Sequence, residues 1–407
     1  MNSAERRILI IANFGHFLTH YNMLVFPALV LPLTGFLQLN MAQVLELSFW
    51  QYLLFGLTAL PWGIAADRVG GRPLMMLMFL GAGLSGLAAA FWMESPTLLA
   101  LSLAGVGLFS GIYHPIGMGL ISKGVRNISL AMGYNAMFGG LGLMAAPLAT
   151  GLFNWIWGPR AAFLVLAAMN LLGMGIMMLC PIVEPSSHEA KTSEGNGLLG
   201  AFIILLVAMT LGGIAYTGSS VIITAFLELK SPKVLEFASG VFGRGISGNL
   251  LAAVSTSLVF AVGAIGQYTG GHLGQRYDTR WSYLAFHAVC VPAAFLVAAS
   301  QDAALVAFAA VYFFCLLGTQ ALENTLVAQY TPRRLHHSAF GLKFILTFGV
   351  GSLAVKMMAQ IDSIWGISAT FVALGLVSVV LVSSVLVLVW WTNHSSATAV
   401  QVEQQLP

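Results

Sequence analysis

Apolar runs of about 20 residues follow one another along the chain, and this pattern limits the possible folds more than any other feature. A helix that crosses a bilayer needs about 20 predominantly apolar residues. We therefore predict an all-α polytopic membrane protein with twelve transmembrane helices. The predicted spans lie near residues 8–37, 43–66, 73–94, 96–122, 127–153, 158–180, 198–226, 248–274, 282–300, 303–328, 338–360 and 366–391.

The composition agrees with a protein that is solvated by lipid. Hydrophobic residues make up 58% of the 407 residues and charged residues only 8%, whereas soluble domains carry about 25% charged residues. The net charge is +3, and no basic cluster of the kind that binds nucleic acid is present. Cys180, Cys290 and Cys315 lie in apolar runs without metal-ligand spacing, so we expect buried thiols.

A polar segment divides the chain into two halves. Residues 181–197 contain the linker-type residues that the apolar runs lack. We therefore expect an N-terminal six-helix bundle over 1–180, a cytoplasmic linker over 181–197 and a C-terminal six-helix bundle over 198–407. Arg6 and Arg7 precede an apolar run that is too long for a signal peptide, so we expect an uncleaved first span.

Lys and Arg are distributed unevenly between the two sides of the predicted membrane. With twelve spans both termini lie on the same side, and that side carries eleven cationic residues: Arg6, Arg7, Arg68, Arg72, Lys123, Arg126, Lys191, Arg276, Arg280, Arg333 and Arg334. The opposite side carries four, namely Arg160, Lys230, Lys233 and Arg244. Because cytoplasmic loops are enriched in Lys and Arg, we expect both termini to be cytoplasmic.

The loop after span 2 recurs after span 8. Gly63, Arg68 and Arg72 pair with Gly271, Arg276 and Arg280 at a constant offset of 208 residues. The same offset pairs Ala131 with Ala339 and Gly133 with Gly341, at the starts of spans 5 and 11. One offset that holds in two regions predicts two homologous, pseudo-symmetric bundles, which is a known transporter architecture.

The first copy of this loop, from Gly63 through Asp67 and Arg68 to Arg72, resembles the loop signature Gly-x-x-x-Asp-Arg-x-Gly-Arg of the major facilitator superfamily. The resemblance covers nearly the whole chain, since the twelve spans and the central linker fit as well. It implies alternating-access transport, a bacterial inner-membrane location, membrane lipid as surroundings and a functional monomer without a cofactor.

The resemblance also implies a conformational latch at the loop. Asp67 would accept hydrogen bonds from free amides at the start of span 11, near His337 to Gly341, where the helix carries partial positive charge. Arg68 and Arg72 would pair with carboxylates or lipid phosphates. The second copy, with Arg276 and Arg280, has Gln275 in place of the acid, so a matching latch there would be weaker. A solvated turn is the alternative for these residues.

Span 5 contains a glycine-rich stretch that includes Gly139, Gly140 and Gly142. It loosely resembles the span 5 motif of superfamily exporters but lacks the usual Gly-Pro pairing. Close helix packing through small residues is the simpler interpretation.

Polar residues within the spans are few, and ionisable groups at membrane depth usually mark function. They fall on spans 1, 4, 7 and 10, which line the central cavity in the superfamily. The candidates for the substrate or proton pathway are His16, His20, Tyr21, His114, Tyr216, Thr217, Gln320, Glu323 and Asn324. Asn13 shares a face with His16 and His20, and Ser110 is placed one turn from His114.

Glu323 is the preferred proton carrier among these residues. Burial in a low-dielectric medium favours the neutral form of a carboxyl group, so such a group can load and release protons near neutrality. Imidazole groups ordinarily titrate there as well. Each polar residue also has an ordinary structural alternative, because histidine, serine and threonine side chains often bond to neighbouring carbonyl groups.

A metal site at the three histidines, and the positions of two lysines in span 11, each have more than one interpretation. His16 and His20 at i, i+4, with His114 as a third ligand, would suit a metal ion, but no acid lies in the same half's core, so we predict no metal site. Lys343 and Lys356 in span 11 are expected to snorkel towards an interface, with anion contact as the alternative for Lys343.

The leading functional hypothesis is proton-coupled transport of a small organic solute or drug, with export favoured over uptake. The His114-Pro115-x-Gly117 stretch resembles a bacterial subgroup related to fosmidomycin-resistance efflux proteins. The alternative is uptake or export of an organic anion such as a carboxylate or siderophore, although no central arginine is evident. A channel or membrane enzyme is disfavoured, because neither a filter-like loop nor a nucleophile–base pair is found.

Overall fold

The computed structural model describes residues 2–179, 182, 199–242, 245–332 and 336–403, and within these ranges the secondary structure is helical. Eleven helices are long and apolar enough to cross a membrane, and a bent helix pair makes a twelfth span. Spans 1 to 12 are, in order, Ser3–Leu37, Met41–Val69, Gly71–Phe91, Pro96–Gly124, Leu130–Trp157, Pro159–Leu179, Leu199–Lys230, Gly248–Arg276, Thr279–Ala299, Asp302–Tyr330, Ala339–Trp365 and Ile367–His394.

The twelve predicted spans are confirmed, with ends that differ by several residues from the sequence-based estimates. The segment between spans 7 and 8 contains a short helix, Pro232–Phe242. The linker predicted over 181–197 lies outside the described residues except for Ile182.

Several spans are interrupted within the membrane. Span 2 consists of Met41–Glu46, Phe49–Leu57 and Ala59–Val69, and it bends by 46° before Ala59. Span 1 contains a 3-10 turn, Pro27–Leu29, and span 11 contains a π-helical segment, Ile345–Gly349. A π-helical turn leaves the regular hydrogen-bond pattern and often occurs at functional sites.

Span 4 is also divided, into Pro96–Ser110 and Tyr113–Gly124. Pro115 has no amide hydrogen, so the carbonyl of Gly111 loses its helical donor. Ser110 and His114, which are predicted to lie one turn apart, fall on the two sides of this break. Ser110 accepts a hydrogen bond from Asn22 at 3.0 Å, whereas His114 lies against the histidines of span 1.

The two bundles meet through symmetry-related pairs of spans. Span 5 packs on span 8, and span 2 packs on span 11. A shift of six spans exchanges these two pairs, as the internal repeat predicts. Gly56 in span 2 lies directly against the backbone of Phe348 and Gly349 in span 11, so this is a very close approach of the two bundles.

Candidate substrate and proton site

Three histidines from spans 1 and 4 form a cluster, here called the histidine cluster: His16, His20 and His114. One ring nitrogen of each lies within 4.8 Å of those of the other two. The Nε2 atoms of His16 and His20 are 3.2 Å apart, and His114 presents its ring edge-on to both. The sequence predicted all three residues, and the fold brings them together.

Asn135 of span 5 orients this cluster. Its backbone carbonyl lies 2.7 Å from Nδ1 of His16, and since a carbonyl oxygen only accepts, Nδ1 carries the hydrogen. Nε2 of a neutral His16 is then an acceptor, and Nε2 of His20 donates to it. The Asn135 side chain bonds to Asn13 at 3.1 Å and to the Tyr113 hydroxyl, and Tyr113 stacks on the His16 ring.

The glycines of span 5 make room for this arrangement. A Cβ atom on Gly139 would lie 2.6 Å from Cε1 of His16, and one on Gly142 would collide with the carbonyl of Phe17. The glycine-rich stretch therefore allows span 5 to pack tightly on span 1, in agreement with the simpler of the two interpretations.

Aromatic rings from both bundles surround His114, and we call Phe55, Tyr216, Phe344 and Phe348 the aromatic cluster. Phe344 of span 11 stacks on the His114 ring with centroids 5.0 Å apart. Phe348 stacks at 6.3 Å and also contacts Phe55 and Tyr216 edge-on. The histidine cluster thus lies at the interface of the two bundles, in contact with span 11.

A buried ion pair lies in the C-terminal bundle. Nζ of Lys343 is 3.1 Å from Oε2 of Glu323, and both side chains are 8% exposed. Lys343 also donates to Asn324 at 2.7 Å, and the Tyr283 hydroxyl donates to the other Glu323 oxygen at 3.0 Å. The expectation that Lys343 snorkels to an interface was wrong, since its ammonium group is held by Glu323 and Asn324.

Lys356 behaves differently from Lys343. Its ammonium group lies 4.3 Å from the ring centroid of Phe49, which is within range of a cation–π interaction. His287, which was not predicted as a site residue, is buried and packs edge-on against Tyr283 with centroids 4.5 Å apart.

The remaining predicted pathway residues are dispersed around these two centres. Tyr21 is buried and stacks on Phe17, and Thr217 is buried beside Gly351. Gln320 accepts a hydrogen bond from Gln267 at 2.8 Å. None of the contacts described for these three residues involves the histidine cluster, and their place in the pathway stays a prediction.

The residues of the predicted latch are placed as follows. Asp67 and Arg68 are exposed at the end of span 2, Arg72 is half-buried and Arg276 is exposed. Among the described residues no hydrogen bond of Asp67 is found, and the side chains at 333–338 lie outside them. Gly341 is nevertheless close to span 2, because a Cβ atom there would lie 3.0 Å from Leu60.

Arg280 has a well-defined role within its own bundle. It bonds to both carboxylate oxygens of Asp278 and also to Thr392 and Asn393 at the end of span 12. The hydrogen bonds from Arg280 lower the pKa of the Asp278 carboxyl group. This arginine therefore ties the loop between spans 8 and 9 to span 12.

Asn249 connects the bundles at the end of the molecule opposite the predicted latch residues. Its amide donates to the Ala28 carbonyl of span 1 at 2.9 Å and to Glu228 of span 7 at 3.0 Å. Its oxygen accepts a hydrogen bond from Asn154 of span 5 at 2.9 Å. This polar group was not predicted, since its members come from four separate spans.

A groove of about 430 Å³ lies away from both centres, between spans 3 and 4. Its lining is apolar and includes the exposed side chains of Leu84, Trp92 and Leu101. These properties suit contact with lipid chains better than with a polar substrate.

The fold and the family match agree on the class of this protein. The Major Facilitator Superfamily model matches residues 9–355. The chain therefore belongs to the major facilitator superfamily, and it is a transporter and not an enzyme.

Relatives in bacteria carry the same assignment. The chain is 23% identical to the uncharacterized MFS-type transporter YfnC of Bacillus subtilis (strain 168), over 91% of this chain and 90% of YfnC. It is 32% identical to the multidrug resistance protein MdtG of Escherichia coli O9:H4 (strain HS), over 61% of this chain and 64% of MdtG. None of these names specifies the fosmidomycin-resistance subgroup, which stays a prediction.

Solved transporter structures share the fold. An inward-facing, unoccupied bacterial homologue of the human lysosomal transporter Spinster superposes with a TM-score of 0.77, at 15% identity over 95% of this chain and 97% of that one. A point mutant of the nucleoside transporter NupG gives a TM-score of 0.76, at 15% identity over 95% of this chain and all of NupG.

Proposed function

We propose that this chain is a proton-coupled exporter of small lipophilic organic solutes in a bacterial inner membrane, with both termini in the cytoplasm. The buried pair of Glu323 and Lys343 is the observation that carries the proposal. Lys343 directly precedes Phe344 in span 11, and Phe344 packs on His114 of the other bundle. The name of the relative MdtG, a multidrug resistance protein, supports the substrate class.

Protonation of Glu323 is the proposed coupling step. A charged pair in a low-dielectric interior is held by mutual attraction, and removal of one charge leaves the other buried without compensation. When Glu323 takes up a proton, Lys343 loses its counter-charge and retains only the neutral partner Asn324. Span 11 then has a different preferred position, which favours the other access state.

The aromatic cluster is the proposed substrate contact. Its rings come from spans 2, 7 and 11 and lie between the bundles, where the superfamily architecture places the central site. In this conformation Phe344 stacks on His114 and on Phe348, and Phe348 meets Phe55 edge-on. A lipophilic solute would insert between them, because ring faces bind apolar and cationic groups without a fixed hydrogen-bond pattern.

Proton-linked transport of an organic anion is the second candidate, and Lys343 is the observation that favours it. In the charged pair the ammonium group is occupied by Glu323 and Asn324. Protonation of Glu323 would free one buried cation for a carboxylate. The two candidates differ in how substrate affinity changes with pH.

A ligand panel on the purified protein separates them. We expect the lipophilic cation tetraphenylphosphonium to raise the melting temperature at a pH of about 7.5, where carboxylates are ordinarily ionised. Phe348→Ala should remove this effect, whereas Phe91→Ala, at an exposed phenylalanine, should retain it. Stabilisation by benzoate alone, and only at a pH of about 5.5, would replace the first candidate with the second.

Transport direction needs a separate assay. We expect energised inside-out vesicles to accumulate tetraphenylphosphonium, since the cytoplasmic face is then outside. Accumulation confined to right-side-out vesicles, and above that in matched vesicles without this protein, would assign uptake instead of export.

The latch is proposed for the state in which the cytoplasmic side is closed. Asp67 would then reach the amides at the start of span 11, with Arg68 and Arg72 beside it. Leu60 and Gly341 already bring spans 2 and 11 into contact near that end. Asp67→Asn should therefore shift the protein towards the inward-open state, as measured by cysteine accessibility on the cytoplasmic side, and unchanged accessibility would count against the latch.

A further inference from the structure

We infer that the histidine cluster is a binding site for a late first-row transition-metal cation, with His16, His20 and His114 as its three protein ligands. This inference goes beyond the proposed transport of organic solutes and does not depend on it. The sequence alone predicted no metal site, because no acidic residue lies in the same half's core. Three features of the cluster's geometry favour a metal site.

The first reason is the separation of the ligand atoms. A tetrahedral zinc ion holds imidazole nitrogens at about 2.0 Å, which places neighbouring ligand nitrogens about 3.3 Å apart. The Nε2 atoms of His16 and His20 are 3.2 Å apart, and one ring nitrogen of His114 is within 4.8 Å of each partner. On metal binding the hydrogen of His20 would move from Nε2 to Nδ1, which leaves both Nε2 lone pairs free for the ion. A small rotation of the His114 side chain would complete a three-nitrogen face.

The second reason is the orientation of His16. Metal-binding histidines usually donate their other ring N–H to a carbonyl or carboxylate, which fixes the tautomer that binds metal. His16 makes such a bond through Nδ1 to the Asn135 carbonyl at 2.7 Å. Its Nε2 lone pair is thereby directed towards His20.

The third reason is an unsatisfied atom. Nε2 of His114 is buried and makes no hydrogen bond to any described residue. A buried polar atom without a partner costs free energy, and a metal ion would satisfy this one. Three neutral imidazoles also form a known catalytic zinc ligand set, with a fourth position for water or another ligand, so an acidic ligand is not required.

The preferred cations follow from ligand type. Imidazole suits zinc, copper, nickel and cobalt, whereas magnesium and calcium prefer oxygen ligands. A bound ion would fix spans 1 and 4 together beneath Phe344 and Phe348 of span 11. Metal occupancy would therefore be sensed at the interface of the two bundles.

Metal binding to the purified full-length chain tests the inference. After chelator treatment and reloading with zinc, we expect one zinc ion per chain by elemental analysis, and competition by cobalt but not by magnesium. X-ray absorption on the zinc-loaded protein should give nitrogen neighbours at about 2.0 Å. Cobalt should give the intense visible bands of a four-coordinate site.

Variants locate the site. Loss of a residue that only supports a metal ligand typically weakens metal affinity by about 10- to 100-fold. Loss of a ligand itself, in His114→Gln or His20→Gln, should therefore weaken zinc affinity at least about 100-fold. His287→Gln is the matched control, because His287 is also buried but lies in span 9 away from the cluster. A single gel-filtration peak for each variant shows that the fold is retained.

Three outcomes would overturn the inference: no bound zinc, zinc with oxygen neighbours only, or the same affinity in His20→Gln and wild type. None of them bears on tetraphenylphosphonium transport. Conversely, loss of the proposed transport activity would leave zinc stoichiometry unchanged. The two proposals therefore fail separately.

Discussion

Removal of the Lys343 charge is the most direct perturbation of the buried ion pair. At 3.1 Å and an effective dielectric constant of about 20, the attraction between two unit charges is about 5 kcal/mol. Desolvation offsets much of this attraction, so the net value of the pair is small. Loss of one partner is nevertheless costly, at about 3–5 kcal/mol, because the remaining buried charge has no compensation.

A double-mutant cycle measures this coupling. We expect Lys343→Met and Glu323→Gln each to be destabilising, and the double variant to be less destabilised than the sum of the two by about 2–3 kcal/mol. The assay is equilibrium unfolding in mixed micelles, followed by circular dichroism. Lys356→Met is the matched control, since this lysine contacts a phenylalanine ring and no carboxylate among the described residues. Strict additivity of the two single effects would refute the reasoning.

Two further predictions concern packing and pH. Gly56→Ala should abolish transport, because a Cβ on Gly56 meets the backbone of span 11. Gly35→Ala should leave transport intact, because a Cβ on Gly35 meets nothing within 4 Å. Equal vesicle transport by the two variants would contradict this prediction. Asp278→Asn should lower the melting temperature at neutral pH by removing less than about 1 kcal/mol from a partly exposed pair. The pKa of Asp278 is lowered, so its contribution to stability is present above the ordinary carboxyl pKa and is lost as the pH falls through the lowered value. The difference in melting temperature between Asp278→Asn and wild type should therefore vanish in acid. A difference that grows in acid would contradict the assignment.

The spans could be predicted from sequence because apolar length alone defines them. The placement of His16, His20 and His114 on cavity-lining spans was also accessible, since few polar residues occur at membrane depth. The internal repeat predicted two pseudo-symmetric bundles. The contacts of span 5 with span 8 and of span 2 with span 11 are related by that symmetry.

The role of Lys343 could not be predicted in the same way. Its position about a turn and a half inside span 11 fits either snorkelling or burial, and the choice depends on Glu323, which lies on a different helix. The break in span 4 has a visible cause in Pro115, but its effect on the direction of Ser110 depends on packing against Asn22. The Asn249 group combines four spans, and no local pattern in sequence signals it.

The aromatic cluster illustrates a second limit. Phe344 and Phe348 are ordinary residues in an apolar run, and nothing in the composition separates them from other phenylalanines. Their proposed function emerges from the contact with His114 across the interface. Long-range contacts of this kind define the site more than the identity of its residues does.

Substrate-induced proton movement tests the central claim most directly. Proteoliposomes that contain a pH-sensitive dye would be exposed to a tetraphenylphosphonium gradient, with wild type, Glu323→Gln and the matched control Glu228→Gln compared. Glu228 lies in the same bundle and is hydrogen-bonded to Asn249, but it has no cationic partner among the described residues. We predict coupled proton movement in wild type and Glu228→Gln and none in Glu323→Gln, with substrate exchange retained in all three. Unchanged proton movement in Glu323→Gln would contradict the account.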